Sequence, residues 1–396
     1  MLKNVSKVLS GGLLSQILNF LSVPLITSWY EPAAMGAYAG FAFFVAFLPM
    51  IMSLRMEMAI MQDPCAKDQN ALVFLAILSG GVILTFCIAS SVIFNPELRK
   101  EVILIGFCSF FASISNMAIS IANLKERYWA ISISRALFPI LFFVIVFFLK
   151  DTEAEDGLAA SHTLATFFGM LFIVLVSGYR VRMASLGRLI HTLRKNIDYA
   201  RFDLPSNILN VGALLLPAFL LGILFDDEAA GLYFLAYKLV AAPLSAISQA
   251  FGFVYRREAV REFKISRSFE VITKKSLVLL STLSMLMLIG FYTLGPLVFE
   301  LLFRKEWLEA LPILSVLMPM FAIKLVSSSL SFSFYIVNRL KLDLYGQVFF
   351  VVSVACAIYG GYLINDFMLT IYLISITSAM TYLFYGIKSI QFSRGV

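Results

Sequence analysis

Stretches of apolar residues that are long enough to cross a lipid bilayer recur along the whole chain. A helix of about 20 residues spans the hydrocarbon core, and inside it the backbone must satisfy its own hydrogen bonds. Such runs lie at residues 8–29, 35–56, 71–94, 101–123, 128–149, 157–177, 204–225, 230–254, 274–296, 311–336, 342–363 and 367–388. Charged residues make up only 14% of the chain, whereas about a quarter of a soluble domain is charged. The sequence therefore predicts an all-α integral membrane protein with twelve transmembrane helices.

The distribution of lysine and arginine predicts how these helices are oriented. Most of the 31 lysine and arginine residues fall near the two termini and in every second loop. Since such loops are retained in the cytoplasm, both termini are expected there, and the acidic loops 151–156 and 226–228 are expected outside. Lys3 and Lys7 precede the first apolar run as in a signal peptide, but the run extends to Tyr30, which favours a retained first helix. The net charge of +7 follows from this distribution, so no nucleic-acid partner is expected.

The longest polar connection, residues 178–203, divides the chain into predicted helical bundles at 1–177 and 204–396. Apolar residues recur in it at helical spacing, with basic residues between them. This pattern is typical of an amphipathic helix on the cytoplasmic leaflet, attracted by anionic lipid. A solvated linker is the alternative interpretation.

A short motif is repeated in the two halves. Glu31-Pro-Ala-Ala-Met-Gly36-Ala-Tyr38 resembles Glu228-Ala-Ala-Gly231-Leu-Tyr233, and Pro49 and Pro243 follow the two glycines at nearly the same distance. Both copies open the second span of their half from the outer side. We therefore expect two six-helix bundles related by a parallel pseudo-two-fold repeat about an axis along the membrane normal.

Four cations fall within predicted spans or at their ends: Arg55, Arg135, Lys238 and Lys324. A charge at the bilayer centre costs at least about 2.5–3.5 kcal/mol. We predict that these residues line a polar cavity and bind an anionic substrate. The alternative is that each side chain extends to an interface or pairs with a carboxylate, as Arg55 would with Glu57. Lys238 has no counterpart in the first copy of the repeat, where Phe43 stands.

Acidic residues are scarce in the spans. The first run, 8–29, contains none, and Glu57 and Asp343 lie at helix ends. A transporter that exchanges cationic drugs for sodium ions or protons needs a buried carboxylate, so this scarcity argues against that class.

Prolines inside the spans predict kinks, because each removes a helical hydrogen bond. Pro24, Pro49, Pro217 and Pro243 are candidate hinges. No motif of a soluble enzyme is present, and the cysteines and the two histidines are too few and too scattered for a metal site. We expect no catalytic residue, no metal and no cofactor.

Several segments together resemble a known family, and they lie in its order and spacing: 11–16, 23–26, 32–38, 53–60, 231–259 and 306–310. Ser53-Leu-Arg55-Met56-Glu57-Met-Ala-Ile60 is similar to the pattern Leu-Arg-Tyr-Glu-x-Ala-Ile of that family's second helix, with Met56 in place of the aromatic residue. The family is the oligosaccharide flippase (Wzx-type) branch of the multidrug/oligosaccharidyl-lipid/polysaccharide exporters. The resemblance implies twelve helices in two bundles, alternating access and a lipid-diphosphate-linked oligosaccharide as cargo.

The expected function is therefore a flippase in the bacterial inner membrane, and not an enzyme. It would translocate undecaprenyl-diphosphate-linked repeat units of an O-antigen or capsule. Its partners would be the lipid-linked oligosaccharide, membrane lipid, a glycan polymerase and a chain-length regulator. Two alternatives remain at this point, a drug or metabolite antiporter of related fold and a membrane glycan polymerase or ligase.

Overall fold

A computed structural model describes residues 2–62, 66–150, 154–178, 183–337 and 339–395, and all regular structure within these ranges is helical. Parts of the loop 151–156 and of the connection 178–203 lie outside them. The α-helices in chain order are α1 (Leu2–Thr27), α2 (Pro32–Ser53), α3 (Met56–Gln62), α4 (Ala66–Ser91), α5 (Pro96–Leu124), α6 (Tyr128–Leu149), α7 (Ala154–Ser177), α8 (Leu186–Lys195), α9 (Leu204–Leu224), α10 (Asp227–Ser266), α11 (Glu270–Leu302), α12 (Ala310–Leu330), α13 (Ser333–Ile336), α14 (Leu340–Ile364) and α15 (Phe367–Ser393).

Twelve of the helices in these described ranges are long. Ten are apolar and long enough to cross a membrane. An eleventh span forms when the bent pair Tyr199–Gly212 and Leu214–Leu224 is counted as one, and α1, which is apolar over Leu14–Thr27, is the twelfth. The prediction of an all-α membrane protein with twelve long helices is confirmed.

Polar residues between the apolar runs start three of these helices. The side chains of Asn95, Asp226 and Asp366 each accept a hydrogen bond from the backbone N–H three residues later. These contacts satisfy N–H groups that have no partner within the helix. These three side chains therefore act as helix caps.

The chain folds as two compact units. The first comprises residues 1–22 and 38–215, and the second comprises 23–37 and 216–396. In the first unit α5 and α6 pack on α7, and α4 packs on α5. In the second unit α12 and α14 pack on α15, and α11 packs on α12. These are the third to sixth long helices of each half, so the predicted repeat is present in the packing.

The two glycines of the repeated motif meet each other in the second unit. A Cβ atom added to Gly36 would overlap the carbonyl oxygen of Asp227, and one added to Gly231 would overlap that of Pro32 and lie 3.0 Å from the Gly36 nitrogen. Only glycine lets the two backbones approach so closely. The motif therefore marks a direct contact between the first turns of α2 and α10.

A tryptophan holds the same segment, 23–37, within the second unit. The buried Trp307 indole donates hydrogen bonds to the carbonyl oxygens of Thr27, at 2.9 Å, and Tyr30, at 3.3 Å. Arg304 donates to the carbonyl oxygen of Ser28 at 3.2 Å. These bonds satisfy carbonyl groups left free where α1 ends.

A helix forms in the predicted linker. In α8, Leu189 and Thr192 are buried, whereas Leu186 and Ile190 are exposed. Ion pairs of 3.4 Å join Asp68 on α4 to Arg188 and to Lys195. The helix is thus docked on α4 through one face, and contact of its other face with the leaflet stays a prediction.

Candidate functional site

The Lys324 ammonium lies among aromatic rings in the second unit. It donates a hydrogen bond to the Tyr237 hydroxyl at 2.9 Å. The centroids of the Tyr237, Tyr382 and Phe321 rings lie 5.1, 5.5 and 5.9 Å from its Nζ atom. We call Lys324 and these three rings the lysine–aromatic cluster.

Three helices build the lysine–aromatic cluster. Phe321 precedes Lys324 by three residues on α12, so both side chains project from one face. Tyr237 on α10 is fixed by stacking on the buried Tyr233 one turn earlier, with centroids 6.1 Å apart and planes 18° apart. Tyr382 is brought in by α15, on which α12 packs. The aromatic side chains are therefore positioned by the helix packing itself.

No carboxylate of the described residues lies within 4 Å of the Lys324 ammonium, which is only partly exposed. Cation–π contacts stabilise a desolvated cation by about 2 kcal/mol or more. Removing an ammonium from water costs several kcal/mol. These opposing contributions are of similar size, and the groups that contact Lys324 among the described residues are neutral.

The other predicted cations are in different surroundings. Lys238, partly buried on α10, lies 5.5 Å from the Phe234 ring centroid and follows Tyr237 directly. Arg135 is exposed on α6 in the first unit. Thus Lys238 and Lys324 belong to the second unit, and Arg55 and Arg135 belong to the first.

Arg55 joins two carboxylates in the first unit. Its guanidinium lies 3.3 Å from Glu57 and 2.7 Å from Asp203. Leu54 and Arg55 have φ angles of 52° and 59°, in the left-handed region that costs non-glycine residues about 1–3 kcal/mol. The ion pair of Arg55 with Asp203 therefore connects the break between α2 and α3 to the π-helical turn Tyr199–Asp203. The ion pair expected with Glu57 is present, and substrate contact by Arg55 stays a prediction.

Replacing Asp203 by asparagine is expected to lower the stability of the purified protein by about 1 kcal/mol, because the ion pair with Arg55 becomes a hydrogen bond from the guanidinium to a neutral amide oxygen. Thermal unfolding in detergent measures the change. Asp198→Asn is the matched control, since Asp198 is exposed on the same connection. Equal stability of the Asp203→Asn variant and the wild type would contradict a holding role for the pair.

His162 lies inside the first unit and was not among the functional residues predicted from the sequence. The His162 Nδ1 atom on α7 is hydrogen-bonded to the Tyr38 hydroxyl on α2 at 2.7 Å. The rings of Phe41, Phe138 and Phe142 surround His162 with centroids 4.9–5.8 Å away. The sequence carries no signal for this pair, since the two residues are 124 positions apart.

Glu101 was also not among the residues predicted from the sequence. It lies in the span Leu98–Leu124 and is partly buried. A Cβ atom added to Gly40 on α2 would lie 4.0 Å from its Oε1 atom, so the carboxylate faces α2. The sequence does indicate this residue, because Glu101 is the first residue of the apolar run 101–123.

Two of the predicted hinge prolines lie at the borders of the compact units. Pro24 is two residues beyond the border at 22, and Pro217 is two beyond the border at 215. Pro49 lies in the last turns of α2 before its break, and Pro243 lies inside α10. Movement at these positions stays a prediction.

The model of the polysaccharide biosynthesis protein family matches residues 29–312. No curated protein sequence matches the chain. Among solved structures, the lipid II flippase MurJ in an inward closed conformation is similar with a TM-score of 0.73 and 12% identity, over 96% of this chain and 86% of that one. An inward-facing multidrug resistance MATE family transporter of the MOP superfamily gives a TM-score of 0.68 and 14% identity, over 96% and 94%.

A MOP superfamily transporter from Pyrococcus furiosus, whose binding pocket is described as having reverse polarity, gives a TM-score of 0.59 and 15% identity, over 98% and 94% of the two chains. At these identities the likeness shows the fold, which is that of a membrane flippase and of membrane transporters. The family match covers more than half of the sequence. The chain therefore belongs to the polysaccharide biosynthesis protein family.

Proposed function

We propose that this protein is a flippase for undecaprenyl-diphosphate-linked oligosaccharide repeat units, the precursors of an O-antigen or a capsule. It moves them across the bacterial inner membrane by alternating access and breaks no covalent bond. It is therefore a transporter and not an enzyme.

The observation that carries this proposal is the lysine–aromatic cluster. A lipid diphosphate is anionic, and Lys324 is a cation without a carboxylate partner among the described residues. The flat faces of Tyr237 and Tyr382 provide apolar surface with hydroxyl groups at the edge, which suits a sugar ring next to the diphosphate. In this proposal Lys238, Arg55 and Arg135 contribute further positive charge along the path of the substrate.

The four hinge prolines support alternating access, because kinked helices bend at defined points. Pro24 and Pro217 are the strongest candidates, since the borders between the compact units lie two residues away. In this proposal the bundles at 1–177 and 204–396, joined by the basic linker 178–203, move as the two halves of the transporter, except that residues 23–37 move with the second bundle.

The proposed location is the bacterial inner membrane, with both termini in the cytoplasm. This orientation rests on the lysine and arginine in every second loop. The proposed partners are the lipid-linked oligosaccharide, a glycan polymerase that receives the flipped unit and its chain-length regulator.

A deletion strain tests the proposal. Loss of polymeric surface glycan is expected, with single lipid-linked units held on the cytoplasmic leaflet, where an impermeant glycosidase added to spheroplasts does not reach them. The wild-type gene on a plasmid restores the polymer. If the lipid-linked units instead reached the outer leaflet and stayed unpolymerised, flipping would not be the missing step.

A drug or metabolite antiporter is the second candidate, and Glu101 is the observation that favours it. In that case Glu101, a partly buried carboxylate near the start of the span Leu98–Leu124, is the group that binds a sodium ion or a proton. The same deletion strain separates the candidates, because an antiporter would leave surface glycan intact and abolish efflux of a cationic dye.

A further inference from the structure

A cavity of about 430 Å³ lies between α10 and α11 in the second unit. Its walls include Val254, Tyr255 and Glu258 from α10, and Lys275, Ser276 and Leu279 from α11. Val254 and Leu279 are 64% and 54% exposed. Leu279 belongs to the apolar span Glu270–Leu302, so the cavity has an exposed apolar wall within a membrane-spanning helix.

The polar side chains lie at the level of lipid headgroups. Glu258 lies beyond the apolar span Asp227–Ser248 of α10. Lys275 lies five residues after the start of α11, about 8 Å along the helix axis. This end of both helices is the one predicted to face the cytoplasm. The cavity therefore has an apolar wall next to a charged rim. The acyl chains and the headgroup of a phospholipid are arranged in the same order.

Two opposite charges line this cavity without pairing with each other. Glu258 and Lys275 form no ion pair or hydrogen bond with any described residue. Adjacent charges do have partners, since Lys274 pairs with Glu270 at 2.9 Å and Arg256 lies 4.4 Å from the Phe332 ring centroid. The cavity thus keeps a carboxylate and an ammonium apart.

A carboxylate in the first half provides a contrast. Glu57, which follows the second helix of that half, is neutralised by Arg55 at 3.3 Å. In the second half Glu258 has no such partner among the described residues. A carboxylate that is partly removed from water is stabilised by a cation beside it, so a ligand with a positive group would complete the site.

We propose that this cavity binds a zwitterionic phospholipid whose headgroup carries a primary ammonium, phosphatidylethanolamine. Its phosphate lies against Lys275 and Ser276, its ammonium donates hydrogen bonds to Glu258, and an acyl chain follows Val254 and Leu279. Charge-assisted hydrogen bonds of this kind are the strong ones. A phosphatidylglycerol headgroup has no cation for Glu258, and the quaternary ammonium of phosphatidylcholine has no N–H to donate.

Native mass spectrometry of the delipidated full-length protein tests the site by titration with phosphatidylethanolamine, phosphatidylcholine and phosphatidylglycerol of identical acyl chains. The first lipid is expected to bind most tightly. Glu258→Gln and Lys275→Gln are each expected to weaken its binding about ten-fold, because each removes the side-chain charge that pairs with the headgroup. Lys274→Gln is the matched control and is expected to bind as the wild type does.

Leu279→Trp keeps both charges and fills the acyl groove from an exposed position that tolerates a larger side chain. It is expected to lose phosphatidylethanolamine binding and to elute as a single species in gel filtration, so the test does not depend on the charge variants folding. Equal binding by the wild type, Glu258→Gln and Leu279→Trp would overturn the proposal. Tighter binding of phosphatidylglycerol would overturn it as well, because the site would then select an anion.

Discussion

Lys324→Ala is expected to abolish the export of surface glycan while leaving the amount of protein in the membrane unchanged. The Lys324 ammonium provides the positive charge of the lysine–aromatic cluster, and its neighbours are neutral rings. Losing an interaction with a charged group costs about 1.5–3 kcal/mol, which weakens substrate binding at least about ten-fold. Surface glycan from a deletion strain carrying the variant gene gives the readout, and an immunoblot of membranes gives the protein level.

Two variants make this result specific. Lys324→Arg retains the charge and is expected to keep part of the export. Lys388→Ala is the matched control on α15, because Lys388 is partly exposed and donates a hydrogen bond to Gln391 at 3.1 Å. Lys238→Ala is expected to impair export in the same way as Lys324→Ala. Normal surface glycan in both the Lys238 and the Lys324 variants would refute the proposed role of these cations.

Gly231→Leu is expected to prevent the recovery of folded protein. Even a single added carbon at Gly231 would overlap the Pro32 carbonyl oxygen, and that neighbour is backbone rather than a flexible side chain. Overpacking costs about 1–3 kcal/mol or more in a well-packed core, and here the first turns of two helices would have to separate. Fluorescence-detected gel filtration of a tagged variant measures the loss, and Gly231→Ala is expected to give an intermediate yield.

Gly290 and Gly360 provide the control in the same unit. A Cβ atom at either position would meet no heavy atom within 4 Å. Gly290→Leu and Gly360→Leu are therefore expected to give wild-type yields. A wild-type elution profile for Gly231→Leu would contradict the close contact between α2 and α10.

The amino-acid sequence predicted features that depend on local chemistry. Apolar runs identified the spans, which the structure shows as long helices. The ion pair between Arg55 and Glu57 was also expected, because the two residues are neighbours in sequence. In each of these cases the interacting groups lie within a few residues of one another.

Features that depend on helix packing were not predictable in this way. Asp203, the second partner of Arg55, is 148 residues away in sequence. Tyr382 meets Lys324 only because α15 packs on α12. The role of Gly36 and Gly231 was missed for the same reason, since the repeated motif revealed a duplication but not that the two copies touch each other.

The assignment of residues 23–37 to the second unit has a consequence for dividing the gene. A cut within 178–203 separates the two halves of the sequence but not the two compact units. The N-terminal fragment would carry Gly36 without Gly231, and the carbonyl groups of Thr27 and Tyr30 without the Trp307 indole. Fragments expressed alone are therefore expected to be degraded, and co-expressed fragments to accumulate together. A chain cut in this way would act as an obligate heterodimer.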